Sequence, residues 1–313
     1  MPAVIDVATR VAAWHGARWR ALPRASRVIW SLIAGIGLLD LAGIVMTGMR
    51  VAPGPLLLHL LAPAALLGVA AFYDATGRSE RIARTLAAIG QLFAFTLVAG
   101  SGSYLLIGIG MPFVDTSLAR LDAMVGFDWP AYDRFTARLG EWPNMVLAGL
   151  YASSVPQIMA VAAFLGFTGR FGRMAEFIGC LTLTAAAVVV LGALFPALGA
   201  HHTYGIEHGG KAFFIPEIIA AHEGRVGLLD VSKMTGLVTF PSFHTAISLL
   251  VIAATWGLRW IGPVALIANL ALLASVPVYG SHHFIDMVGG TAITVLAMWL
   301  WRAYFAGRDK ATG

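Results

Sequence analysis

Polar residues are sparse along this chain and bunch together, leaving eight nearly unbroken apolar runs at about 28–48, 55–73, 85–109, 146–168, 177–198, 239–258, 262–279 and 283–302. An apolar run of about 18 residues or more is what a helix needs to cross a hydrocarbon core. The pattern predicts an all-α, polytopic membrane bundle of about eight transmembrane helices. Two connections on one side are long, about 110–145 and 199–238, whereas those on the other side are short. Long loops in compact proteins are more often functional than idle. In the first, Leu118, Leu121, Met124 and Val125 recur at helical spacing, with Trp129 and Trp142 nearby. That spacing predicts an amphipathic helix at the membrane interface, serving as a lid, a lipid-facing collar or a plain connector. Residues 3–20, with Val4, Val7, Val11 and Trp14 at the same spacing, predict a second interfacial helix.

Composition agrees with a bilayer. With 58% apolar and 12% charged residues, the chain has too little polar surface to cover a water-soluble globule. No repeat or low-complexity tract divides it. The expected plan is a cytoplasmic or interfacial segment 1–27, one membrane-embedded catalytic domain 28–302 with its core at roughly 110–302, and a cytoplasmic tail 303–313. Arg10, Arg18, Arg20, Arg24 and Arg27 precede the first run, which lacks a small-residue cleavage site and reads as a retained anchor. Cys180 is the single cysteine, so no intrachain disulfide forms.

Placing the amino terminus inside puts fourteen of the 21 lysines and arginines on the inner side and seven outside. The positive-inside rule selects this orientation, with both termini cytoplasmic and the long loops extracytoplasmic, in the cell inner membrane. The net charge of +5 is then an orientation signal, and no basic face for nucleic acid stands out.

Two clusters interrupt the apolar pattern where helices begin. In "FPSFHTA", Phe240 to Ala246, Pro241 suits a first helical position. The N–H groups of Ser242, Phe243 and His244 then lack intrahelical partners and favour an anion at the positive end of the helix dipole. In "YGSHHFIDMVGG", Tyr279 to Gly290, Gly280 can end one helix and Ser281 can cap the next. His282 and Asp286 stand four apart on one helix face, so the carboxylate can hold one ring nitrogen and leave the other to attack. Both clusters emerge on the outer side. Converging, they offer a nucleophile, its orienter, a proton carrier in His244 and an anion cradle in Ser242.

Other readings compete. A lone intramembrane histidine is usually a packed one, and Asp40 and His59, each isolated in an apolar run, read as packing residues. His201, His202, His208 and His222 add imidazoles to the outer surface and raise a zinc site, which their irregular spacing and the lack of a cysteine partner weaken. A bis-histidine haem would have to pair His59 with His244 across the membrane. The expectation is no metal and no cofactor.

The two clusters carry a resemblance. "FPSFHTA", followed some 38 residues later by "GSHHFIDMVGG", resembles the second and third signatures of the type 2 phosphatidic acid phosphatase superfamily, whose fold is shared with vanadium haloperoxidases. "GLVTFPSFHTA" and the upstream "VDTSLARLDAMVGFDWPAY" are more similar to the branch containing aureobasidin-sensitive inositol phosphorylceramide synthases. The resemblance spans roughly 110–300 and implies that His282 attacks phosphorus to form a phosphohistidine. Asp286 would orient it, His244 would protonate the leaving oxygen and then activate water or an alcohol, and Ser242 would contact the phosphoryl oxygens.

The chain departs from that pattern too. The first signature, a lysine ahead of an Arg-Pro pair, is missing, and Val276 stands where an arginine is expected, although Ser275 keeps its place. Phosphoryl transfer needs positive charge on the equatorial oxygens. The second long loop offers Lys211, Arg225 and Lys233, of which Arg225 in "HEGRVG" is favoured for its planar fork and glycine neighbours, with Lys233 second. Tyr204 and His202 are further candidates for the head group.

The implied partner is a membrane lipid bearing a phosphate or phosphodiester. The expected activity is phosphotransfer from that lipid to an alcohol such as a polyol, in the manner of inositol phosphorylceramide synthase. Two other readings stay open: a lipid phosphate or polyprenyl pyrophosphate phosphatase using the same residues, and a non-catalytic transporter or scaffold.

Overall fold

The computed structural model describes residues 23–206 and 214–309. The interfacial helix expected at 3–20, and the candidates His208 and Lys211, lie outside these residues. Thirteen helices are described, joined by one two-stranded sheet. α1 (Arg24–Thr47) rises to the side that carries the long loops, β1 (Arg50–Val51) turns the chain, and α2 (Pro53–Thr76) returns. α3 (Glu80–Ile107) leads into two short helices in the first long loop, α4 (Asp115–Met124) and α5 (Trp129–Arg138). α6 (Glu141–Ala152) and α7 (Ser154–Phe167) return, and α8 (Phe171–Leu194) crosses back. The second long loop holds α9 (Ala200–Tyr204), α10 (Ile215–His222) and β2 (Leu228–Leu229). α11 (Phe243–Thr255), α12 (Ile261–Tyr279) and α13 (Phe284–Asp309) complete the bundle.

Among the described residues, six helices are long and apolar enough to cross a membrane: α1, α2, α3, α8, α12 and α13. The chain is an integral membrane protein. α6 and α7 pass the same test together but bend by 55° between them, giving up to seven spans where the apolar runs suggest eight. Pro156 explains the break, because its ring lacks an N–H and clashes with the carbonyl four residues back, at the end of α6. α11 accounts for the other difference. Its 13 residues are shorter than a span, since Ser242 caps one end and Gly257, at φ 75°, stops the other.

Burial separates centre from periphery. In α8, 61% of the apolar window is buried inside the protein, against 11% in α2, so α8 is the post around which the bundle packs. Ile158, Leu165, Phe177, Ile178, Leu181, Ile247 and Val251 from α7, α8 and α11 form the main core. Asp40 packs within this frame: its carboxylate accepts a hydrogen bond from Ser101 Oγ at 3.0 Å, joining α1 to α3. His59 stays local and donates to the Pro55 carbonyl at 2.9 Å. A second, smaller core under the long loops gathers Ile107, Leu198, Ile218, Leu229 and Leu237. There β1 and β2 pair in parallel, Arg50 opposite Leu228, which fastens the α1–α2 turn to the second long loop.

Candidate active site

The site lies where α8 and α12 end and α11 and α13 begin. Ser242 is the N-cap of α11: its Oγ accepts from the Thr245 N–H at 3.3 Å and from the Thr245 hydroxyl at 3.1 Å. Pro241 therefore precedes the cap and is not the first helical residue. The Ser242 N–H, expected to face an anion, instead donates to the backbone carbonyl of Asp286 at 2.9 Å. That one hydrogen bond ties the two helix starts together. The approach needs Gly290, since a Cβ there would sit 2.3 Å from the Ser242 carbonyl oxygen.

The loop between α12 and α13 is held from several directions. Ser281 has φ 57°, a left-handed conformation costly for a residue with a side chain. It does not cap α13. Its Oγ accepts from the His201 N–H at 3.0 Å and its carbonyl from the Ala200 N–H at 2.7 Å, so the start of α9 fixes this turn. Gly199 permits the contact, because at φ 98° it lies so close that a Cβ would meet the Ser281 carbonyl at 2.5 Å. Trp129, with 0% exposure, donates its indole N–H to the His282 carbonyl at 3.1 Å. Tyr204 stacks on Trp129 with ring centroids 5.6 Å apart and tilts toward His283 at 6.1 Å.

Cap duty for α13 falls to a residue more than 160 positions away in sequence, Asp122 of α4. Its Oδ2 accepts from the Phe284 N–H at 3.1 Å and its Oδ1 from the Ile285 N–H at 2.9 Å. The same Oδ2 holds His283 Nδ1 at 3.1 Å, and His283 Nε2 lies 3.2 Å from Thr203 Oγ1. A carboxylate at a helix start answers both the orphan N–H groups and the dipole. Asp115, two turns earlier on the stripe of α4 that also carries Leu118, accepts from the Leu198 and Gly199 N–H groups at 2.9 and 2.7 Å. α4 is thus pinned at both ends by buried carboxylates.

Within this cage His282 Nδ1 donates to Asp286 Oδ2 at 3.2 Å, and Oδ2 also accepts the His283 N–H at 2.9 Å. His282 is 2% exposed, and burial pushes its imidazole down to about 4 from the ordinary value near 6.5. The ring is neutral at neutral pH, its Nδ1 committed to the carboxylate, and a hydrogen bond to the Thr239 backbone offsets part of the effect of burial. His244 faces it with ring centroids 6.1 Å apart. Tyr151, at the bend between α6 and α7, stacks on His244 at 4.2 Å and places its hydroxyl 3.2 Å from Nδ1. Such a pair can attack an electrophile with one imidazole and move a proton with the other.

A family model described as PAP2 superfamily matches residues 116–300. The chain belongs to the PAP2 superfamily. No curated protein and no solved structure matches it. Membership of the PAP2 superfamily, with membrane-length helices, places the chain among membrane phosphatases and phosphotransferases.

In this PAP2 chain the structure brings His244, His282, Asp286 and Ser242 into one cluster, with Tyr204 at its edge. Arg225 and Lys233 are placed differently. The Arg225 Nε donates to Glu223 at 2.5 Å on an exposed turn, and Lys233 pairs with Asp230 at 3.5 Å. Among the described residues, neither touches the two rings. Nor do three His, Cys, Asp or Glu side chains come together to hold a metal ion among the described residues. Asp122 and Trp129, which lie in the upstream stretch without a role assigned there, and Tyr151 and Thr203, outside every motif, are further contributors. One signal was available for Asp122: it falls on the stripe of Asp115 and Leu118, which places an acid on the buried side of a helix.

Proposed function

We propose that this protein is a membrane phosphotransferase that moves a phosphoryl head group from a lipid to an alcohol, as inositol phosphorylceramide synthases do, on the extracytoplasmic face. The observation that carries the reading is a buried His282 held by Asp286 and faced by a second imidazole. His282 Nε2 attacks phosphorus while the bond to the lipid oxygen breaks. His244, whose burial favours the neutral ring until an anionic phosphate lies beside it, takes up a proton as the substrate binds and gives it to that oxygen. The acceptor alcohol then returns a proton to His244 as its oxygen attacks the phosphohistidine, freeing His282. The first-turn amides of Phe243 and His244 receive the phosphoryl oxygens. With water as acceptor the same residues make a lipid phosphatase.

The acceptor decides between the two. Purified protein given lipid phosphodiesters with labelled head groups should form a new phosphodiester only when the alcohol is added. Release of the phosphorylated head group to water at the same rate with and without alcohol overturns the transferase reading. Acidity tests the nucleophile separately. Because burial favours the neutral ring, His282 should lose its attacking lone pair only as pH falls through about 4. On acidification, single-turnover formation of phosphohistidine, quenched in alkali, should not fall through the range near 6.5 where an ordinary histidine titrates. A loss on acidification centred near 6.5 contradicts a buried nucleophile.

A further inference from the structure

α4 and α5 are amphipathic in the reverse of the usual sense. Their buried stripes carry carboxylates, Asp115 and Asp122 on α4 and Asp133 on α5. Their exposed sides carry Leu121, Met124, Val125, Phe135 and Leu139, with Met124 81% exposed. A helix against water shows the opposite arrangement. The apolar surface does not stop at α5: Trp142, 77% exposed, and Met145 and Val146 continue it along α6 into the bent membrane-spanning pair. Arg120, Arg134 and Arg138 are exposed beside this surface. Long cationic side chains flanking an apolar stripe suit a helix in the interface plane, its stems along the acyl region and its charges at the phosphates.

We infer that α4 and α5 are embedded in the leaflet on the active-site side, their apolar faces covered by phospholipid acyl chains and their arginines at the level of anionic head groups. The occupant is lipid because the exposed apolar side chains resume at Trp142, Met145 and Val146 on the bent apolar pair α6–α7, which together pass the test for a membrane-length segment. α4 also holds the start of α13 through Asp122, so the part that meets the lipid is one residue contact from the His282 loop. The substrate is accordingly a lipid that reaches the histidines along the membrane plane. This last step rests on the phosphotransfer reading, whereas the insertion does not.

Spin labels test the insertion without activity. Cys180 is buried, so Met124→Cys and Phe135→Cys can be labelled with a nitroxide in the full chain, in vesicles of phosphatidylcholine and phosphatidylglycerol. Both labels should be accessible to oxygen and shielded from a water-soluble nickel chelate, like a Met145→Cys reference and unlike Ser232→Cys. Ready access to nickel overturns the inference, and shielding from both reagents overturns it in favour of a protein partner or a second copy. In the functional arm, Leu121→Glu with Met124→Glu should lower kcat/KM for a vesicle-borne lipid about ten-fold relative to a dispersed short-chain ester. An equal change for both substrates overturns the lateral route. Lipid-like labels in a protein that turns over no phosphate ester would leave the insertion standing and remove the phosphotransfer reading.

Discussion

Replacing His282 with alanine is expected to lower phosphoryl transfer by roughly 10⁴-fold or more, since a covalent route without its nucleophile leaves only binding and electrostatic effects. The structure sharpens the expectation, because His283 cannot substitute for its neighbour. Its ring is fully buried, Nδ1 is held by Asp122 and Nε2 lies against Thr203. The loss should therefore be as deep in His282→Ala as in a variant lacking both histidines. Trapping labelled phosphate on the protein checks this directly. A phosphorylated His282→Ala protein would move the nucleophile elsewhere, whereas an unphosphorylated but fully active one would end the covalent mechanism.

Asp122→Ala is expected to cause the largest loss of stability. The substitution strips acceptors from three donors, the buried His283 ring and the part-buried Phe284 and Ile285 N–H groups. At about 1 kcal/mol or more for the buried donor and less for each part-buried one, the cost is about 2 kcal/mol or more. Thermal or denaturant unfolding in detergent measures it. Asp122→Asn keeps one acceptor oxygen and should fall between alanine and the parent. If both variants unfold with the parent, Asp122 does not hold α13.

What the sequence made legible, and what it hid, follows from the range of each interaction. Helix identity was readable because apolar length is a local property, and the His282–Asp286 pair was readable because four residues of helix fix its geometry. The start of α11 was misjudged by one or two residues. Proline is equally at home just before a cap, and only the Thr245 contacts show that Ser242 is the cap. Ser281 looked like the cap of α13 by the same local logic, yet its hydroxyl is taken by the His201 N–H, and the true capping group comes from Asp122. A contact across about 160 residues leaves no periodicity to find.

The same holds for the stripe in the first long loop. Leu118, Leu121, Met124 and Val125 share helical spacing, but Leu118 is buried beside Asp115 and Asp122 while the other three are exposed. Spacing gives neighbours on a helix, and only packing says which side faces the protein. Arg225 illustrates a different limit. Its fork suits a phosphate in principle, but Glu223 lies two residues away and claims it. Among the described residues no cation replaces it beside the histidines, so the first-turn amides carry the anion-binding role in the proposed mechanism.

The ladder between β1 and β2 has a consequence for how the chain is divided. Residues 50–51 lie well outside the segment shared with the family, yet they lend their backbone to residues 228–229 in the loop that leads to the histidine-bearing helix. The leading helical pair is accordingly a buttress for that loop rather than a detachable leader. A fragment cut to the family boundaries would carry every reacting group and still begin with one edge of its scaffold unlaced.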